Sequence, residues 1–203
     1  MSIDLLLTFV QDNWIALVAA LINFVWVYLE YRASVWLWPV GIVLPIFYII
    51  VSLEAHYYGN VAINVYYLIT SIIGWWMWLR KGSDADDGRI TTLTPIRGFL
   101  SLAVAVPSYF AILWFLRSYT ESVLDWADAL ATVISFVGMI WLAKKWREHW
   151  VCWIVANAIS SWLFYLSGDM ISCVVFVINF AVAILGYINW IKLQKAQPDE
   201  ALS

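Results

Sequence analysis

Residues 150–157 read Trp-Val-Cys-Trp-Ile-Val-Ala-Asn. Trp150, Trp153 and Asn157 fall at i, i+3 and i+7, positions that share one face of a helix. Two indoles and a carboxamide then line up along about 10 Å of that face. Such groups recognise rather than react. Indole faces stack on a flat ring and attract a cation, and a carboxamide offers both a donor and an acceptor. Taken singly, Trp150 is equally well an interfacial anchor and Asn157 a helix–helix hydrogen bond. Asn64 and Tyr67, and Asn179 further along, stand in apolar runs where an amide needs a partner. Ligand binding and structural bonding explain them equally. Asn23 and Ser135 are accounted for by helix packing, and Asp128 by a first-turn acid at a helix N-terminus. Glu54 and His56 read as a solvated turn, with a mouth that attracts a cationic solute as the sharper alternative.

The elements that position these residues lie in a membrane. The chain has 203 residues, 64% hydrophobic and 12% charged, with a mean hydropathy of +0.82; soluble domains carry roughly 25% charged residues. Apolar runs long enough for spanning helices fall near 14–30, 34–52, 61–79, 98–116, 127–143, 150–167 and 171–191. They are too long for barrel strands. Residues 1–13 read as a short tail, without the basic start and small-residue cleavage site of a signal peptide. Ten of the eleven Lys and Arg fall on one side of the seven-helix weave: Arg32, Arg80, Lys81, Arg89, Arg97, Lys144, Lys145, Arg147, Lys192 and Lys195. Arg117 lies on the other. This asymmetry places the N-terminus outside and the C-terminus in the cytoplasm.

The chain also repeats. A shift of 112 residues puts Trp14 on Trp126, Trp38 on Trp150, Gly74 on Gly186 and Trp78 on Trp190, without a gap. Each matched stretch holds three apolar segments, and parallel repeats of this kind build several transporter folds. Three is odd, so a linker helix, 98–116, must restore direction before the second set. The expectation is a 3+1+3 protein: a three-helix bundle at 14–80, a cytoplasmic strap and linker helix at 81–125, a second bundle at 126–192, and a polar tail at 193–203. Trp75, Trp76, Trp78 and Trp190, beside Arg80 or Lys192, read as interfacial anchors. Trp36 and Trp38 fit either role. Pro45 frees a carbonyl within the second helix, which neighbouring helices or a wet cavity must satisfy. It aligns with Asn157.

Other classes fit less well. An intramembrane enzyme needs a nucleophile–base pair or metal ligands at depth, and His149 and His56 lie at opposite edges. Cys152 and Cys173 read as small apolar filler. A retinal protein needs a lysine within its last helix, where Lys192 stands only at the end. No cofactor, metal or nucleic acid is implied. A proton-coupled carrier calls for a mid-helix carboxylate; Glu30 and Asp128 lie at helix ends, so uniport is expected. A non-transporting membrane interaction protein would need no pocket.

The Trp150, Trp153, Asn157 trio following a basic loop resembles the W-x-x-W-x-x-x-N motif of the Pnu vitamin transporters. Residues 74–78, Gly-Trp-Trp-Met-Trp, are similar to their third-helix ending, and Asp128 falls where members carry an acid. The resemblance covers residues 14–192. It implies an all-α, seven-helix 3+1+3 protein of the bacterial cytoplasmic membrane, distantly similar to SWEET sugar carriers. It also implies passive uptake of a B-vitamin or vitamin precursor, which a cytoplasmic kinase then traps. The oligomeric state stays open, a homo-oligomer included. Branches of the family carry nicotinamide riboside, thiamine or riboflavin. Ile42 stands where nicotinamide riboside members carry Asn, and Asn64 and Glu54 where Gln occurs. Fewer amides and an added acid favour thiamine over nicotinamide riboside. The implied substrate-binding set is Trp150, Trp153, Asn157, Asn64, Tyr67, Asn179 and Glu54.

Overall fold

Seven helices carry the chain in a computed structural model that describes residues 3–54, 58–80, 89–120 and 124–197. They are α1 (Ile3–Tyr31), α2 (Leu37–Glu54), α3 (Tyr58–Leu79), α4 (Pro95–Tyr119), α5 (Asp125–Ala143), α6 (His149–Ser167) and α7 (Met170–Lys195). Among the described residues, α1 from Asn13 and α4 to α7 are long and apolar enough to cross a membrane. The apolar runs of α2 and α3, at 37–50 and 63–79, are shorter. The expected tail is corrected at its start: α1 begins at Ile3. The polar stretch Gln11-Asp12-Asn13 contains neither Pro nor Gly and does not interrupt the helix.

The 112-residue register reappears in the backbone. Tyr31 and Ala143 end helices, Leu37 and His149 start them, and so do Tyr58 and Met170. Both α1 and α5 close on a left-handed residue that is not glycine, Ala33 (φ 48°) and Lys145 (φ 53°). At each, paired backbone bonds form a Schellman cap. Ser34 N–H donates to Leu29 C=O and Ala33 N–H to Glu30 C=O; Trp146 N–H donates to Trp141 C=O and Lys145 N–H to Leu142 C=O. A left-handed L-residue costs about 1–2 kcal/mol. Both turns must therefore be held by what surrounds them. Side chains repeat too: Trp38 packs its ring into the notch at Gly74, and Trp150 into the notch at Gly186. Trp38 meets Trp78 edge-on at 5.5 Å, and Trp150 meets Trp190 at 6.2 Å.

Apart from α4, the helices close a ring. α2 packs on α1 and α3, α6 packs on α5 and α7, and the sets join through α1 against α7 and α3 against α5. α4 packs on the outside of α5. Pro45 lies inside α2 without ending it, and the carbonyl it frees, that of Gly41, accepts from Ser71 Oγ of α3 at 3.4 Å. A neighbouring helix thus supplies what lipid cannot.

The ring end that carries Tyr31, Leu79, Ala143 and Lys195 is tied shut. Trp190 Nε1 donates to Glu30 C=O (2.9 Å), Asn189 Nδ2 to Tyr31 C=O (2.8 Å) and Trp78 Nε1 to Ala143 C=O (3.1 Å). Over this end runs the segment before α4. Thr91 N–H donates to Lys145 C=O and accepts at its carbonyl from Arg147 N–H, Leu93 N–H donates to Glu148 Oε2 (2.7 Å), and Arg147 donates to Gln194 (2.9 Å).

These contacts correct two expectations about tryptophan. Trp190 is fully buried and its N–H is spent on a backbone carbonyl, so it closes the ring rather than anchoring in lipid. Trp78 likewise packs against Trp38 and under Lys145, whose Nζ lies 4.4 Å from the Trp78 ring. Burial there pulls the Lys145 ammonium below the usual lysine range. Trp76 and Trp36 are exposed, and Arg80 covers Trp76 at 3.8 Å; Trp38 is core.

Candidate substrate-binding cavity

Inside the ring lies a cavity of about 160 Å³. α1 lines it with Asn23, Trp26 and Glu30, α3 with Tyr67, and α5 with Ser135. α6 adds Trp150, Trp153, Asn157 and Ser160, and α7 adds Phe176 and Asn179. Amides, hydroxyls, indoles and one carboxylate converge from five helices, the mixture expected of a ligand pocket. Toward the far end of the ring it meets a second cavity of about 390 Å³ that shares Tyr67, Ser135, Ser160 and Phe176 and adds Asp128, Thr132 and Ser167. Asp128 lies in the first turn of α5 and Ser167 ends α6. The two cavities thus form a path from the centre toward the end opposite the tied one.

The floor carries a group that spacing alone did not single out. Glu30 is 1% exposed. Its Oε1 accepts from Trp153 Nε1 at 2.6 Å and lies 3.0 Å from His149 Nε2. The histidine contact has ion-pair distance without the alignment of a hydrogen bond. His149 Nδ1 lies 2.8 Å from Trp146 C=O. A carbonyl only accepts, so Nδ1 carries a hydrogen. His149 starts α6 and Glu30 stands in the last turn of α1, the helix-end positions expected of them, and both side chains are buried. Both are buried because the turn after α1 is roofed by α6 and α7, with His149 packed against Trp150 and Trp190 at 4.9 and 4.5 Å.

The predicted residues fall into distinct places. Trp153, Asn157, Tyr67 and Asn179 line the cavity. Trp153 meets Trp26 edge-on at 6.2 Å, and Asn179 Oδ1 accepts from Asn23 Nδ2 at 3.1 Å. Trp150 borders the cavity but is 1% exposed, with its ring in the Gly186 notch. It is a wedge under the site more than a stacking face. Its repeat mate Trp38 is buried in the same way, and neither indole N–H has a partner among the described residues. Asn64 is buried on α3 but does not line the cavity. Glu54 ends α2, and its side chain and all of His56 lie outside the described residues. Trp26 and Glu30 are the additions. A polar or aromatic residue on the first helix, one turn from another, was the available signal.

A larger groove of about 440 Å³ runs between α4 and α5, with Arg97 and Lys144 at the basic end and mostly apolar walls. It lies on the α4 side of α5, away from the converging polar groups, so the inner cavity is the candidate site.

Comparison with known proteins agrees with this architecture. Residues 13–192 match the family model described as nicotinamide mononucleotide transporter. The nicotinamide riboside transporter PnuC of Neisseria mucosa is 26% identical over 92% of this chain and 75% of the relative. The riboflavin/roseoflavin transporter RibM of Streptomyces davaonensis is 27% identical over 87% and 84%. A crystal structure of the vitamin B3 transporter PnuC superposes with a TM-score of 0.75 at 22% identity, over 96% of this chain and 88% of that one. The expected preference for thiamine finds no support among these relatives, whose names specify nicotinamide riboside or riboflavin. With the family model spanning nearly the whole chain, this protein belongs to the nicotinamide mononucleotide transporter family, that of the Pnu vitamin transporters.

Proposed function

We propose that the protein carries nicotinamide riboside into the cell by alternating access. The observation that carries the reading is the cavity itself: indoles of Trp26 and Trp153, amides of Asn23, Asn157 and Asn179, and the Glu30 carboxylate around one space. A pyridinium ring is flat and cationic. Its attraction to a desolvated indole is worth about 2 kcal/mol or more, and ribose hydroxyls match the amides. Thiamine needs fewer amides than this wall offers, and riboflavin has no positive charge for Glu30. The names of the relatives favour the same substrate.

The moving parts in this reading are residues 14–80 and 126–192, two three-helix bundles lying the same way up, with α4 as linker. The shared helix boundaries, caps and Trp–Gly wedges support that 3+1+3 arrangement. The tied end, rich in Lys and Arg, is the cytoplasmic one by the positive-inside rule. The described conformation is then closed to the cytoplasm, with its path leading outward.

Titration of the purified protein with nicotinamide riboside, thiamine and riboflavin, followed by tryptophan quenching, tests the proposal. Saturable quenching by nicotinamide riboside in the micromolar range, about 8 kcal/mol, is expected. Tighter binding of either other vitamin would reassign the substrate.

A further inference from the structure

The Glu30–His149 pair on the cavity floor has a proton inventory that can be read from its contacts. Nδ1 of His149 keeps its hydrogen for Trp146 C=O. Nε2 and Glu30 Oε1 stand 3.0 Å apart, and a buried carboxylate that close to the partial negative charge of an unprotonated ring nitrogen would be repelled. One proton therefore lies with the pair, on either partner, and the pair is neutral as a unit. The same Oε1 accepts from Trp153 Nε1 at 2.6 Å, which links the pair to the indole on the cavity wall.

The other groups near Glu30 do not replace that proton. α7 faces it with the neutral Trp190, bonded to its backbone carbonyl, and α3 contributes the Tyr67 phenol across the cavity. Arg147, on the α5–α6 turn, is engaged by Glu148 and Gln194. Among the described residues, those lining the cavity include no Lys or Arg.

Resting on the transport reading above, we infer that Glu30 is the residue that selects a positively charged ring, and that a cation entering the cavity displaces the proton held by the Glu30–His149 pair. A cation added to the neutral pair would leave a net positive charge in a buried space, which is unfavourable. Loss of the proton restores neutrality: the carboxylate faces the cation, His149 keeps its Nδ1 hydrogen, and the released proton leaves to solvent through the open path. An uncharged ring of the same shape gains nothing from this exchange. Glu30 is thus a specificity-determining residue, and His149 a positioning one.

Calorimetric titration of the whole protein in buffers of different ionisation enthalpy, across a range of pH, tests this. The probes are nicotinamide riboside and its uncharged dihydro form. The cation is expected to release about one proton and to bind about tenfold more tightly per pH unit while the pair holds its proton, whereas the dihydro form releases none. Glu30→Gln, whose amide oxygen can still accept from Trp153, should abolish the release and cut the cation's affinity at least tenfold more than that of the dihydro form. Proton release by neither compound, or an unchanged affinity ratio in Glu30→Gln, would overturn the inference. If that variant does not fold, the wild-type comparison of the two probes still decides. If neither probe binds, the transport reading falls, and this inference with it.

Discussion

Trp26 and Trp153 meet edge to face at 6.2 Å on the wall of the cavity, and each lies over a glycine that occupies the other's place in the repeat. Trp26 lies over Gly41, where a Cβ would come within 2.8 Å of its Nε1, and Trp153 lies over Gly138, at 3.4 Å. In the 112-residue register Trp26 corresponds to Gly138, and Gly41 to Trp153. One half supplies its indole from its first helix and the other from its second, so the cavity has two indoles at one level without a duplicated wall. An asymmetric ligand fits such a space better than a two-fold one.

Both indoles should therefore matter to binding more than to folding. Trp153→Ala and Trp26→Ala are each expected to weaken nicotinamide riboside binding by about 2 kcal/mol, roughly thirtyfold in Kd, with normal yields of folded protein. Asn157→Leu should cost about 1–3 kcal/mol through a lost polar partner. Quenching titrations of the variants measure all three, and retained affinity removes the residue from the site.

The wedges predict the converse. Trp38 and Trp150 fill the notches at Gly74 and Gly186, so Gly74→Ala and Gly186→Ala should each destabilise the protein by about 1–3 kcal/mol through overpacking. Thermal unfolding in detergent should show similar losses for the two, because the packing is the same. A harmless Gly186→Ala would mean that the wedge is loose.

Much of this was legible from one sequence, and the rest was hidden for a reason. Hydropathy and the repeat report depth along the membrane, so the seven segments and the alignment of Trp38 with Trp150 could be read directly. The face a residue presents is not encoded there. Glu30 stands next to a polar turn and reads as a helix-end acid; only the roof of Trp190 and His149, about 120–160 residues later in the chain, buries it. Trp190 beside Lys192 has the same pattern as an anchor, yet its N–H closes the ring. Trp26 has no tryptophan mate in the repeat, so alignment of the halves passed over it. Trp153 and Asn157 were legible because helical spacing fixes their common face whatever packs against it.

Pro45 provides an interhelical test. Ser71 Oγ donates to the carbonyl of Gly41 that Pro45 leaves without its helical partner. Ser71→Ala should cost about 1 kcal/mol in the native background and less with Pro45→Ala, where an amide N–H serves that carbonyl. A double-mutant cycle on thermal stability reads the coupling, and additive effects would refute it.

The ties at the basic end predict a gate. Glu148 accepts from Leu93 N–H at 2.7 Å, and hydrogen bonds to charged groups contribute about 1.5–3 kcal/mol. Glu148→Ala should shift the protein toward a conformation open at that end. Thiol labelling of Cys152, buried near the start of α6, should then speed up roughly tenfold. An unchanged rate would show that residues 90–93 do not hold the gate.

Uptake into proteoliposomes tests the central claim most directly. Vesicles carrying the purified protein should take up nicotinamide riboside in a saturable way, and vesicles carrying Trp153→Ala should fall close to the empty-vesicle background. Folded wild-type protein that moves no more nicotinamide riboside than empty vesicles would contradict the account.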